Sequence, residues 1–245
     1  MSLVWRPGFY AESYVFFMKD FIRLELAGWK PWEVVWLLFA LLAVVAISLI
    51  QGETLLGIIS ATTGTICVIL TGKGKLSAYI LGLINVLLYA DIAYRATLYG
   101  ETMLNLLYYL PMQFVGWFSW KKHMDSNNGE VLKRRLTKTG RLISFVAILA
   151  GTILYAFILK KMGDSLPFVD AFTTIASIYA LFASVKRFAE QWIVWIVVDA
   201  ASVYMWAMTF VNTAEYIATL VMWCVYLLNA VIMFIKWMRG SREQV

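Results

Sequence analysis

Residues 32–50 read WEVVWLLFALLAVVAISLI: after the carboxylate of Glu33, the next 17 positions carry Ser48 as their one polar side chain. At 1.5 Å of rise per residue, a helix of this length crosses the roughly 30 Å hydrocarbon core of a bilayer. The pattern continues through the chain, in which 62% of 245 residues fall in the set AVILMFWYC and 15% are charged. Soluble domains hold roughly 45–50% apolar residues, and a globule of this size would expose the excess to water. The chain therefore reads as an all-α integral membrane protein. At about 20 residues per span it has room for seven or eight helices and for no soluble domain of ordinary size, which excludes a kinase, a polymerase or a secreted hydrolase.

Further apolar runs place spans at 53–71, 76–98, 101–120, 142–160, 167–184, 190–211 and 214–238, eight with the first. Breaks fall at Gln51-Gly52, at Gly72-Lys73-Gly74-Lys75, at Gly100-Glu101, over the long loop from Lys121 to Arg141, at Gly163-Asp164-Ser165 and at Asn212-Thr213. The first thirty residues carry Arg6, Glu12, Lys19, Asp20, Arg23 and Glu25, too many charges for a cleavable signal core. They read as a surface helix or arm. Threading the chain through eight spans puts 18 of its 21 Lys and Arg on one side and leaves Arg95, Lys160 and Lys161 on the other. The positive-inside rule then makes both termini cytoplasmic, and it accounts for the net charge of +6 without nucleic acid.

Landmark spacing suggests a duplication. Residues 1–50 form an N-terminal arm and an extra helix, 53–120 a first three-helix repeat, 121–166 a cytoplasmic loop and linker helix, 167–238 a second repeat and 239–245 a tail. An odd linker helix makes the repeats parallel, related by an axis along the membrane normal. Gln113 stands seven residues before Trp120 and Asn229 eight before Trp237; the second helices offer Asn85 and Asp199.

Polar groups inside apolar helices are expensive, so they face the bundle interior or a wet cavity. Trp192, Trp195 and Asp199 stand at i, i+3 and i+7 on one stripe that Ser202 and Trp206 continue. Two indole faces beside a carboxylate suit a flat cationic ring through stacking, cation–π attraction and charge pairing. An interfacial belt is the plainer reading for Trp192, although not for an aspartate two turns deeper. Gln113 with Tyr109, Asn229, and Asn85 with Tyr89 either hold a ligand or hold helices together. The small-residue stretch Ser60-Ala61-Thr62-Thr63-Gly64-Thr65 reads as packing, Asp91 and Arg95 as an i, i+4 pair, and Pro111 as a kink before Gln113. Gly72-Lys73-Gly74-Lys75 lacks the remaining spacing of a phosphate loop and reads as a turn between spans. With one His and two cysteines in separate runs, neither a metal site nor a cofactor is expected.

At these residues the sequence resembles the PnuC-type vitamin transporters of the Pnu family. The likeness covers about residues 53–240 through Gly82-Leu83-Ile84-Asn85-Val86, Gln113 with Gly116-Trp117 to Trp120, Pro167-Phe168-Val169-Asp170, Arg187, Glu190, the Trp192/Trp195 pair, Glu215-Tyr216 and Asn229. Family members commonly carry Asn at the place of Asp199 and often Asn at that of Gln113. The resemblance implies a three-plus-one-plus-three, SWEET-like fold with an extra leading helix in the bacterial inner membrane. It also implies a nicotinamide riboside site between the repeats, drawing on Trp192, Trp195, Asp199, Gln113, Asn229, Asn85, Tyr109 and Tyr89, and facilitated diffusion with alternating access. A cytoplasmic riboside kinase would trap the product, and association into a homo-oligomer stays open. Thiamine, another cationic vitamin, is the rival substrate. A membrane-embedded enzyme is the rival class, and it lacks a convergent catalytic set.

Overall fold

A computed structural model describes residues 19–161 and 167–241. Most of the N-terminal arm, the break expected at Gly163-Asp164-Ser165 and the end of the tail lie outside them. A short helix, α1, covers 19–26. It is followed by α2 (Pro31–Ile50), α3 (Leu55–Lys73), α4 (Ala78–Arg95), α5 (Tyr99–Leu104), a π-helical turn (Asn105–Tyr109), α6 (Leu110–Lys121), α7 (Lys138–Lys161), α8 (Pro167–Val185), α9 (Gln191–Thr213) and α10 (Ile217–Gly240). Among the described residues seven helices are long and apolar enough to cross a bilayer. The eighth expected span, 101–120, is the broken one. Pro111 offers no N–H and its ring crowds the preceding turn, and the π turn directly before it absorbs that misfit.

Local signals set the other boundaries. Pro31 and Pro167 begin their helices where a missing N–H costs nothing. The Thr54 side chain accepts a bond from Gly57 N at 3.1 Å, and Gly74 ends α3 in the left-handed region at φ 87°. Arg95 Nε donates to Asp91 Oδ2 at 2.7 Å, as the i, i+4 spacing predicts.

The groups α3–α4–α5/α6 and α8–α9–α10 run in the same direction through the molecule, with α7 between them in sequence. They interlock across their boundary: α10 packs on α3, and α6 on α8. At the lysine-rich end the exchange is almost symmetric. Trp120 Nε1 donates to Ser184 O at 3.0 Å and Trp237 Nε1 to Gly72 O at 2.7 Å. Each indole thus donates to a carbonyl in the last turn of the other group's first helix, and Ser184 O also accepts from Arg187 N at 2.8 Å.

The 121–137 loop straps the same end. Val131 N donates to Gly74 O and Arg134 N to Arg187 O, both at 2.8 Å, and Gly74 and Arg187 are the left-handed residues of the two equivalent turns. Glu190 closes the strap by accepting from Leu136 N at 3.1 Å and Arg141 Nε at 2.9 Å.

Both lysines of the Gly72–Lys75 turn are buried rather than displayed at a surface. Lys73 Nζ reaches Glu33 at 2.6 Å, Glu130 at 2.7 Å and the carbonyl of Gly28. Lys75 Nζ donates to three carbonyls, Leu24 O at 2.6 Å, Ala27 O at 2.8 Å and Asn128 O at 2.7 Å. Glu25 accepts from Leu76 N, Ser77 N and Ser77 Oγ. These bonds fasten α1 and the start of α2 to the first repeat.

Burial pushes the Lys75 ammonium down to about 8, against the opposing pull of Glu25 and Glu130. Between that value and 10.5 the unfolded chain binds the proton that the folded chain has released, so this group's contribution to stability rises with pH across the window. Lys75→Met removes that rise and strands three carbonyls at about 1–3 kcal/mol each. Thermal unfolding followed by tryptophan fluorescence is expected to show a lower Tm in the variant, with a deficit that widens from pH 8 to pH 10.

Candidate functional site

A cavity of about 130 Å³ lies between the two groups, lined from α3, α4, the π turn, α6, α8, α9 and α10. It is smaller than the roughly 300–1,000 Å³ of ligand pockets. Aromatic layers bound it along the membrane normal. Toward the lysine-rich end Tyr79 meets Trp120 edge-on at 5.1 Å, Trp192 meets Trp237 edge-on at 5.7 Å, and Trp120 and Trp237 lie 6.2 Å apart. Toward the other end Tyr89, Trp206 and Trp223 form a second layer, with Trp206 Nε1 donating to Tyr89 Oη at 3.0 Å.

Trp192, Trp195 and Asp199 project from one stripe of α9 into the cavity wall. Asp199 is 2% exposed and forms no ion pair among the described residues. Trp195 meets Tyr109 edge-on at 6.5 Å. On the facing wall Gln113 stands beside Gly82, and a Cβ on that glycine would lie 2.5 Å from Gln113 Oε1. The glycine is required for the carboxamide to occupy its place. One buried donor in the cavity wall has no protein acceptor among the described residues, Trp192 Nε1. Buried donors are satisfied in most structures, so this indole N–H is open to an acceptor entering the cavity.

Comparison with known proteins places the chain in a family. Residues 54–239 match the family described as nicotinamide mononucleotide transporter. The chain belongs to that family. It is 39% identical to the nicotinamide riboside transporter PnuC of Neisseria mucosa over 220 residues, 88% of this chain and 84% of that one. The transporter of the same name from Haemophilus influenzae is 35% identical over 214 residues, 86% and 92% of the two chains. A crystal structure of the vitamin B3 transporter PnuC superposes with a TM-score of 0.83 at 37% identity, covering 92% of this chain and 98% of its own. These relatives are transporters, and this member of the family is likewise a membrane transporter and not an enzyme.

Six of the eight candidate residues meet at the cavity: Trp192, Trp195, Asp199, Gln113, Asn85 and Tyr109. Asn85 is also committed to packing, since its Nδ2 donates to Ser60 O at 2.9 Å and its Oδ1 accepts from Tyr226 Oη at 3.5 Å. The other two stand elsewhere. Tyr89 belongs to the aromatic layer beside Trp206. Asn229 is fully buried between helices, where its Nδ2 donates to Val68 O at 3.1 Å and its Oδ1 accepts from Trp36 Nε1 at 3.2 Å. The reason is register. Seven residues separate Gln113 from Trp120 and eight separate Asn229 from Trp237, and one extra residue turns a helical side chain by about 100°.

The cavity also holds Tyr79, Trp223 and Tyr226, which are not among the eight candidates. Counting back from the paired tryptophans finds Tyr226, because Tyr109 and Tyr226 each stand 11 residues before theirs. Likewise Tyr79 and Trp192 both stand five residues after the left-handed turn residue of their group. Asn229→Leu is expected to cost about 1–3 kcal/mol of stability by orphaning Trp36 Nε1. Because Asn229 lies outside the cavity, ligand affinity measured by calorimetry on the folded variant should stay at the wild-type value.

Proposed function

We propose that this chain carries nicotinamide riboside across the bacterial inner membrane by facilitated diffusion, with both termini and the lysine-rich end in the cytoplasm. The observation that carries the reading is the pairing of Trp192 and Trp195 with the buried carboxylate of Asp199 in a cavity between two parallel helix groups. A pyridinium ring satisfies all three at once, as a flat π surface and as a positive charge. The family's relatives named for this substrate support the choice of vitamin. Gln113, Tyr79 and Tyr226 offer the hydrogen bonds that a ribose and a carboxamide require.

Alternating access follows from loosening one aromatic layer at a time. Opening toward the cytoplasm separates Tyr79 and Trp120 from Trp192 and Trp237 while the outer layer stays shut; opening outward parts Tyr89 from Trp206 and Trp223. The substrate moves down its gradient, and phosphorylation by a cytoplasmic kinase removes it from the return path. The π turn and Pro111 give the first group a joint beside Tyr109 and Gln113 that the continuous α10 of the second group lacks.

Trp195→Ala is the cleaner aromatic test, because Trp192 also packs on Trp237 in the closed layer. The variant is expected to keep its thermal stability and to bind nicotinamide riboside at least about tenfold more weakly, the worth of a desolvated cation–π contact. Asp199→Ala should abolish measurable binding. Thiamine bound more tightly than nicotinamide riboside would overturn the choice of vitamin. In sealed vesicles uptake should stop at the external concentration with or without an imposed proton gradient. Accumulation of unmodified substrate above that level would refute facilitated diffusion.

A further inference from the structure

A second, larger cavity of about 1030 Å³ lies at the lysine-rich end, between the start of α2, the end of α10 and the 121–137 loop. Five basic side chains line it against three acidic ones. Its floor is an ion-pair network in which three lysines share two carboxylates. Glu33 binds Lys73 and Lys236, each at 2.6 Å, and Glu130 binds Lys73 and Lys133, each at 2.7 Å. Burial opposes ionisation of Glu130, but the ammonium groups of Lys133 and Lys73 prevail and hold it at about 2. The network therefore keeps one positive charge in excess. Lys30 and Arg239 stand on the rim and form no ion pair among the described residues. The remaining carboxylate, Asp125, is engaged with Asn127 N at 2.8 Å.

The apolar part of the lining is equally informative. Trp32 on α2 is 43% exposed and Ile235 on α10 is 48% exposed. Each begins an exposed apolar row that leads away from the cavity toward mid-membrane. Val35 and Phe39 continue from Trp32 at i+3 and i+7, and Val231 and Leu228 continue from Ile235 at i−4 and i−7. Excess positive charge at the membrane surface above two apolar rows is complementary to a molecule with an anionic head and hydrocarbon tails.

We propose that this cavity seats the phosphodiester headgroup of an anionic phospholipid of the cytoplasmic leaflet, with its acyl chains along the Trp32–Phe39 and Leu228–Ile235 faces. The headgroup meets Lys30 and Arg239 directly and the surplus charge of the Lys73–Lys133–Lys236 network behind them. Basic pockets between spans on the cytoplasmic side are the usual seats of such lipids. The bound lipid bridges α2, the loop and α10, so it holds the leading helix against the second repeat. The inference rests on the orientation proposed above but on neither the riboside site nor its substrate.

Native mass spectrometry of the purified full chain in detergent, titrated with phosphatidylglycerol or with phosphatidylcholine, tests it. Phosphatidylglycerol is expected to be retained in preference. Lys30→Ala with Arg239→Ala should weaken its retention by about 25-fold, a factor of about five for each basic side chain beside an anionic headgroup. Neither residue belongs to the ion-pair network, so the double variant should remain folded; the single charge reversal Arg239→Glu gives a second route to the same result. Equal retention of the two lipids, or a preference that both variants leave intact, overturns the proposal. Displacement of phosphatidylglycerol by equimolar glycerol phosphate also overturns it, in favour of a soluble phosphate ester. Riboside binding measured by calorimetry on the double variant should be unchanged, which separates this test from that of the transported substrate.

Discussion

Two indole N–H groups hold the lysine-rich end of the molecule together. Trp120 and Trp237 each end the third helix of one group and donate to a helix-terminal carbonyl of the other group. In a bilayer a carbonyl without a donor costs several kcal/mol, which makes the bond to Gly72 O hard to give up, whereas Ser184 O also accepts from Arg187 N at 2.8 Å. Because the same rings pack on Tyr79 and Trp192, the bonds that join the groups also close the central cavity. The 121–137 loop reinforces the coupling by pairing with both equivalent turns.

The cost of polar groups in hydrocarbon also sorts the buried side chains into two kinds. Asn229, Ser60 and Tyr89 have protein partners and therefore serve packing. Trp192 Nε1 has none among the described residues, although it is as deeply buried. Glycine makes both arrangements possible where helices crowd: Gly82 leaves room for Gln113, and Gly116 for the ring of Tyr79. A methyl group at either position would occupy space that the cavity wall already uses.

The leading helix α2 is attached by charge as much as by packing. Glu33, buried in its first turn, accepts two lysines from the first turn region and the last helix of the core. Such a network is stable only when every member is paired, since an isolated buried charge costs far more than its pair returns. The attachment point is also where the surface carries its surplus of positive charge, so the extra helix, the loop and α10 share one electrostatic environment.

Membrane class, eight spans and the asymmetry of Lys and Arg follow from composition and hydrophobic run length, because hydrocarbon imposes the same requirement on every segment whatever its neighbours. The stripe of Trp192, Trp195 and Asp199 was equally legible, since helical periodicity alone puts the three on one face. Whether a lone amide inside a span binds a ligand or a neighbouring helix was not. Asn229 and Gln113 look alike in sequence, and one residue of register directs the first to Val68 and the second to the cavity. The burial of Lys73 and Lys75 was hidden for a related reason: their partners, Glu33, Glu130 and three loop carbonyls, come from distant segments. Local sequence determined which helices form and which faces are polar. The packing of one helix group against the other decided which polar groups found protein partners and which line the central cavity.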